Sequence, residues 1–523
     1  MSSILIADLT SGTVERESAD SRDYGRGLAV RLLREHTPPR CGRLSPDNAF
    51  VIAPGLLTGT PVPCATRATV AARGDGALAV ANITGDMPQK LASLDIAAVV
   101  LKGKARAGNA VLRIDGRNAR ILHMPELEGL DCGALVERLR GLWGADCAIA
   151  GCGPAADLGI PLSGLFTTYP EGTPRYTCPR SSFGDVPGSK GLRAVVVRCG
   201  RYFDAPCADR AGLQAAGKRL ARRILDDPIC GGALPGLGSI TLLHLLKNRR
   251  ELPPLPEKRA VRPRTDGERV NYCCAPMCVI GCLNRHSAGS GRIYAAPEEA
   301  EVRAAVGACF GGRLSGAEMD ACAAAVSARG LALGLNATEF VYAASMYLDA
   351  AGQEPAPERL EELLEEVAAG TVTGRILGGG TAEIARLYRD REALQARMTR
   401  PAVQQEQKYA LQMRRICPEL AQIDDLELLY REIFLLENLG LCIFSSFALL
   451  DEREPVELLA RLASCKTGRA ETPESLLDYA GRCLREAESL QRQARLAGES
   501  RSIPEFVKVL YRYFEKQEAG LDA

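Results

Sequence analysis

Four cysteines fall within ten residues of the stretch YCCAPMCVIGCLNRH: Cys273, Cys274, Cys278 and Cys282. Thiolate sulfur is a soft ligand, and a thiol group this tight usually holds zinc or an iron–sulfur cluster. Three residues separate Cys274 from Cys278, and three separate Cys278 from Cys282. Pro276 and Gly281 favour a bend that folds these sulfurs onto one centre. Zinc more often takes pairs two residues apart with a second pair nearby. Three cysteines four apart could also line one buried face of a helix. The spacing favours an iron–sulfur cluster and leaves those two alternatives open. A four-iron cubane takes four thiolates, and Cys442 in LLENLGLCIFSSF is the best distant candidate for the fourth. It follows Gly440 at a helix C-terminus, where glycine lets the chain reverse. A histidine-rich metal site is excluded by composition: the chain has four histidines, the last at His286.

The other cysteines read differently. Nineteen is a high count, but disulfides are the weaker explanation in a reducing compartment. Cys41, Cys64, Cys132, Cys147, Cys199, Cys322, Cys465 and Cys483 read as small buried hydrophobes. A formal net charge of +1 points to no nucleic-acid or membrane-surface partner. The start MSSILIADLTSG has neither a basic nor a long apolar region, and no stretch nears 18 apolar residues. The expectation is a cytoplasmic protein with no membrane span.

These residues need elements to position them. The first 200 residues read as mainly β. SILIADLTSGTVERE is a hairpin, followed by short apolar runs at 49–53, 68–72, 96–104, 110–114, 147–151 and 194–200, separated by Gly-, Pro- and Thr-rich turns. A helix interrupts at 134–143. Past about 205 the apolar period becomes helical, predicting helices at 208–226, 238–248, 296–308, 316–329, 337–350, 357–368, 402–416, 425–440, 473–495 and 503–516. The Pro-rich basic stretch 250–267 reads as an exposed connection. The expected fold class is α+β: a β-rich N-terminal domain (1–203), a helical domain carrying the cysteine group (204–400) and a C-terminal helical domain (401–523).

Several segments in this order resemble the aldehyde ferredoxin oxidoreductase family. They are the hairpin with Gly25-Arg26-Gly27-Leu28-Ala29, APGLLTGTPVPCATR (53–67), ANITG (81–85), IAAVVLKGKA (96–105) and GSKGLRAVVVRCG (188–200). PGLGSITLLHLLKNRRELP (235–253), the cysteine group, APEEAEV (296–302), ALGLNATEF (332–340) and ENLGLC (437–442) continue it. The resemblance implies a β base domain with two helical domains, one 4Fe-4S cluster and a tungsten or molybdenum bis-pterin. It implies oxidation of aldehydes or related carbonyl substrates, with electrons passed to ferredoxin or a partner subunit, in a homo- or hetero-oligomer. Carried over by residue, the cluster ligands are Cys274, Cys278, Cys282 and Cys442, with Cys273 the alternative first ligand. Arg67 would link cluster and pterin, Asn82 would lie near an ion joining the pterins, and Arg180, Gly334, Glu437 and Gly440 would line the pterin site. Glu298 would be the catalytic carboxylate, its pKa raised by burial beside the metal.

The sequence also departs from the family. The first pterin carboxylate position is Leu331, and Glu437 stands for an aspartate in the second motif. YTCPRSSFGDVPGSK (176–190) keeps Arg180 and Gly184 but has proline and serines where glycines would allow close approach. The family's Gly-, Tyr-, Arg- and His-rich catalytic stretch is replaced by AVQQEQKYALQMRRICPELAQIDDLELLYREIF. Two functions are therefore expected: the oxidoreductase, or a divergent paralogue serving as a cluster-bearing electron relay or structural subunit.

Overall fold

The computed structural model describes residues 2–20, 22–116, 118–170, 172, 174–176, 183–200, 202–237, 271–288, 291–295, 297–388, 425–450 and 453–496. The sequence-predicted helices at 238–248, 402–416 and 503–516 lie outside these residues, as does the connection 250–267.

Two six-stranded sheets form the N-terminal part. Its elements are β1 (Ser3–Asp8), β2 (Thr13–Ser18), α1 (Gly25–His36), β3 (Phe50–Pro54), β4 (Ala68–Arg73), β5 (Leu78–Ile83), α2 (Asp86–Ser93), β6 (Ile96–Lys102), β7 (Ala110–Asp115) and β8 (Asn118–His123), followed by α3 (Cys132–Trp143), β9 (Ala148–Cys152), β10 (Leu165–Thr168), β11 (Pro174–Tyr176) and β12 (Leu192–Arg198). Strand order is β2-β1-β6-β3-β4-β5 in one sheet and β11-β10-β9-β12-β7-β8 in the other. The β1–β6 and β7–β12 pairs are parallel, and the remaining pairs are antiparallel.

Period-two alternation explains the layers. Leu5, Ala7, Val99 and Leu101 join Val195 and Val197 in a core shared by the two sheets. Ile4, Ile6, Ala98 and Val100 face the other way, onto Leu28, Ala29 and Leu33 of α1. Ala194 and Val196 do the same against Leu135 and Leu139 of α3. Strands covered on both faces must be apolar throughout, which is why IAAVVLK reads as one unbroken run.

The rest is mainly helical. After α4 (Arg210–Asp226) come the short strands β13 (Asn271–Tyr272), β14 (Leu283–Ala288) and β15 (Gly291–Ala295), and then α5 (Pro297–Phe310), α6 (Gly316–Leu333), α7 (Ala337–Ala351), α8 (Pro357–Ala369), α9 (Val372–Gly378) and α10 (Gly380–Leu387). The last described helices are α11 (Asp425–Leu439), α12 (Arg453–Thr467) and α13 (Pro473–Gln493). Helices α5 to α10 share one core with Ile160 and Leu162. Helices α4 and α11 to α13 share another with Leu57, Val62, Cys64 and Ala65 of the β-rich part. Ser315 and Glu318 close a capping box at the start of α6, and Asn336 caps α7.

The α+β architecture agrees with the sequence reading, which does not predict β5, α2, β8, β10 or β11 and misses three further elements. Helix α1 begins Gly-Arg-Gly, a poor helix start, and forms because seven of its residues are buried. Helix α12 carries Pro455 near its first turn, where proline is tolerated. The β14–β15 hairpin is built from polar LNRHSA and GRIYA, which lack a strand signature. Among the described residues no helix is long and apolar enough to cross a membrane.

Lys190 stitches the two sheets together. Its buried ammonium donates to the carbonyls of Pro46 (2.8 Å) and Gly103 (3.3 Å). Burial pulls its pKa from 10.5 down to about 8. The unfolded chain binds this proton more tightly, so the lysine opposes folding below pH 8, and the penalty fades as pH rises toward 10.5. Unfolding of wild type and Lys190→Met should therefore diverge in favour of wild type by about 2 kcal/mol between pH 8 and pH 10. A pH-independent difference in denaturant titrations would refute this.

Candidate metal centre

Three chain segments meet at the cysteines. The first is the loop between β3 and β4, ending at Arg67. The second is the turn 273–282, and the third is the chain leaving α11. Helix α11 stops at Gly440, whose φ of +78° places it in the left-handed region. The Leu441 N–H bonds back to the Leu436 carbonyl at 2.9 Å. Beyond this stop the chain runs against the loop: Leu56 and Leu57 N–H donate to Asn438 and Leu439 carbonyls, Arg67 N–H to Gly440, and Cys442 N–H to Cys64. Ala65 and Leu441 form an antiparallel bridge. Buried Gln89 braces the loop, accepting from Gly59 N–H at 2.6 Å and donating to the Ala65 carbonyl at 2.9 Å.

The Arg67 guanidinium reaches between two segments, with Nη2 3.2 Å from Cys442 Sγ and 3.8 Å from Cys274 Sγ. Its backbone is fixed by the bond to Gly440 and by Thr58 Oγ1, which donates to its carbonyl at 2.7 Å. Desolvation works against its charge, and the Cys442 and Cys274 sulfurs outweigh that and hold it protonated. Cys274, Cys282 and Cys442 are buried. Thr84 Oγ1 donates to Cys274 Sγ at 3.4 Å. Cys273 is less buried and its thiol donates to the Cys278 carbonyl at 3.2 Å, so Cys274 is the cysteine that shares the arginine.

The thiols differ in acidity. Contact with Cys278, then burial, raises the Cys274 pKa. Burial raises those of Cys282 and Cys442, with Arg67 opposing. Cys278 is the one shifted down: Cys273 pushes it up, and hydrogen bonds from Cys274 and Cys64 prevail. Among the described residues no three His, Cys, Asp or Glu side chains converge tightly enough for a single metal ion. The donor set suits a larger, softer group. Four thiols beside one desolvated guanidinium would offer each iron of a four-iron cluster a thiolate, and the anionic cluster a fixed countercharge. A metal displaces the thiol protons on binding.

A second constellation adjoins the first along β4 and β5. Asn82 on β5 donates its amide to Glu437 Oε1 at 2.7 Å. Arg26 Nη1 lies 2.6 Å from Glu437 Oε2, and its guanidinium stacks 3.8 Å from the Phe434 ring centroid. Asn438 accepts from Gly27 N–H at 2.9 Å, docking α1 on the end of α11.

Arg67, Asn82, Glu437, Gly440, Cys274, Cys278, Cys282 and Cys442 thus fall in one neighbourhood. Gly334 does not join it. It ends α6, where its backbone abuts Gly153 and its carbonyl accepts from Gly164 N–H at 2.7 Å. Arg180 lies outside the described residues. Glu298 stands on the first turn of α5, and its side chain is likewise outside them. Sequence reasoning missed Arg26, Thr84 and Cys64 as members. For Arg26 the flanking glycines were the signal: Gly25 lets helix α1 approach Asn438 at the end of α11, and Gly27 lets it approach Tyr479 and Cys483 of α13. Cys64 lies three residues before Arg67, and its N–H donates to the carbonyl of Met277, beside Cys278, at 2.9 Å. A groove of about 530 Å³ lined by Arg16, Arg113, Asp115 and Arg120 opens between edge strands β2 and β8, at the far edge of the first sheet from β4 and β5.

The fold has a solved counterpart. The active-site complex BamBC of benzoyl coenzyme A reductase, with 1,5-dienoyl-CoA, superposes with a TM-score of 0.70, covering 99% of this chain and 94% of that one at 16% identity. Residues 4–199 match the model of the aldehyde ferredoxin oxidoreductase N-terminal domain. The tungsten-containing aldehyde ferredoxin oxidoreductase of Pyrococcus furiosus is 26% identical over 294 residues, 53% of this chain and 47% of the relative. That of Thermococcus kodakarensis is 26% identical over 224 residues, 42% and 36% of the two chains. The matches span about half the length of these relatives or less. Over residues 4–199 the chain resembles the N-terminal domain of aldehyde ferredoxin oxidoreductases, at low identity to their tungsten-containing members.

Proposed function

We propose that this chain is an iron–sulfur oxidoreductase that acts on aldehydes or related carbonyl compounds and passes electrons to ferredoxin or a partner subunit. The carrying observation is Arg67, set between Cys274 and Cys442 from segments 375 residues apart in the second case. Cys274, Cys278, Cys282 and Cys442 would hold a 4Fe-4S cluster. Arg67 would stabilise its reduced, more negative state, because a fixed cation in a poorly solvated site favours added negative charge.

A tungsten or molybdenum bis-pterin, when bound, would supply the two-electron carbonyl chemistry. Arg67, Asn82, Arg180, Gly334, Glu437 and Gly440 are the residues assigned to bind and orient it. Glu298 is assigned to hold or take a proton beside the substrate. The resemblance over residues 4–199 and the adjoining Asn82–Glu437–Arg26 network support this reading.

One observation favours a second reading, a cluster-bearing electron relay or structural subunit without aldehyde catalysis. Glu437 is bound by Asn82 on one oxygen and Arg26 on the other, and Leu331 replaces the first pterin carboxylate, so the residues assigned to the pterin are partly engaged with one another. Elemental analysis of anaerobically purified protein separates the two. The oxidoreductase predicts about four irons per chain with tungsten or molybdenum near one per chain. Iron without either metal would leave the relay or structural role, and an iron-free, colourless protein would remove both cluster-bearing readings.

A further inference from the structure

The groove between β2 and β8 has a volume of about 530 Å³, within the range of small-molecule sites, about 300–1,000 Å³. It opens where the core between the two sheets reaches their edge strands. Leu5, Val14 and Ala119 supply its apolar lining. Leu5 is buried in that core, and half-buried Val14 and Ala119 pack against it. The charged lining is Arg16, Arg113, Arg120 and Asp115, three cations to one anion. Glu15 and Glu17 do not redress this, because alternation sets them on the face of β2 away from Val14 and Arg16. Arg113 and Arg120 stand directly opposite one another in the β7–β8 register, and like charges so placed oppose strand pairing. Arg113 is compensated. It bonds Asp115 at 2.7 Å, and its guanidinium lies 5.1 Å from the Trp143 ring centroid. Asp115 is already shared with Arg198, 3.7 Å away, and Arg16 donates to Ser3 Oγ. Arg120 is exposed and has no hydrogen-bond or ion-pair partner among the described residues.

We propose that this groove binds a small organic monocarboxylate, its apolar body against Leu5, Val14 and Ala119 and its carboxylate on Arg120. One free guanidinium matches one negative charge, and its planar fork takes a carboxylate through two parallel hydrogen bonds. A phosphate dianion asks for more donors than this single group supplies. The apolar lining favours a ligand that carries hydrocarbon beside its charge, because covering it removes apolar surface from water. The bound anion also offsets the repulsion between Arg120 and Arg113 across the hairpin. The inference is independent of the iron–sulfur reading, since the groove lies at the opposite edge of the first sheet from β4 and β5.

The test is isothermal titration calorimetry of the intact protein with hexanoate and benzoate, set against 1-hexanol and inorganic phosphate, in wild type and Arg120→Gln. Arg120 is exposed on an edge strand, so the substitution should leave the fold intact, which far-ultraviolet circular dichroism checks. The expected result is one carboxylate bound per chain, with affinity about tenfold weaker in Arg120→Gln, the scale of a lost charge-assisted hydrogen bond. Neutral 1-hexanol should bind far more weakly than hexanoate, and phosphate should not displace it. Absence of binding by both carboxylates, or equal affinity in Arg120→Gln, would overturn the proposal. Displacement of hexanoate by phosphate at equal concentration would overturn it in favour of a plain anion site. Equal binding of 1-hexanol would overturn it in favour of apolar contact alone.

Discussion

Replacing Cys442 by serine should strip the centre of its full iron complement. In anaerobically prepared Cys442→Ser, iron should fall clearly below about four per chain, with loss or marked weakening of the broad brown absorption. The physical reason is ligand softness: a serine oxygen is a harder and more reluctant ligand for cluster iron than a thiolate. The substitution is nearly isosteric, so the chain around it should hold. Leu441 and the Cys442 N–H are anchored through backbone contacts with Ala65 and Cys64, and none of these uses the sulfur. Arg67 would lose a sulfur partner 3.2 Å away, leaving a guanidinium with less compensation at a poorly solvated site. Iron content, visible absorption and far-ultraviolet circular dichroism of the same preparations decide the outcome. Wild-type iron and colour in the variant would remove Cys442 from the ligand set. Loss of helical signal would show that the substitution acted on folding instead.

The second large effect is expected at Gly440, which brings Cys442 to the other cysteines. A β-carbon there would stand 2.2 Å from Thr58 Oγ1, 3.0 Å from Gly55 Cα and 3.1 Å from the Arg67 carbonyl. Two of these neighbours are backbone, so rotating a side chain cannot relieve the overlap. The positive φ adds its own penalty. Together, backbone strain and overpacking should destabilise Gly440→Ala by on the order of 3 kcal/mol, and lower iron retention because the end of α11 no longer seats against the β3–β4 loop. Gly12 is the control. It has nearly the same φ, +75°, in the β1–β2 turn, and a β-carbon there would meet nothing within 4 Å. Gly12→Ala should cost only the conformational part, about 1 kcal/mol, with iron unchanged. If denaturant unfolding ranks the two variants equally, close approach at Gly440 is not what holds this junction.

The residue-level reading divides along physical lines. Thiols are recognisable by type, and soft ligands grouped within ten residues restrict the chemistry by their spacing alone. Strands β1 to β4, β6, β7, β9 and β12 were legible because alternation and unbroken apolar runs report burial on one or two faces, whereas β5, β8, β10 and β11 were not read from the sequence. Helices α6, α7, α8 and α13 were legible from their apolar period. Helix α1 was not, because its Gly-Arg-Gly start carries little propensity and its stability comes from the sheet it covers. The β14–β15 hairpin escaped for a related reason, since polar strands are made by their pairing and leave no periodic trace.

By itself the sequence determined the material of the site: which residues are soft ligands, which turns hold glycine, and the order of a β-rich part before a helical one. Local patterns report local geometry, and those facts are local. Only the tertiary structure decided that Cys274 rather than Cys273 faces Arg67, that Glu437 is shared by Asn82 and Arg26, and that the Cys64 backbone is bonded to Met277, beside Cys278. Those pairings join residues as much as 411 positions apart. They depend on where α11 ends and on how closely its last turn meets the loop before β4, and no periodicity along the chain encodes that distance.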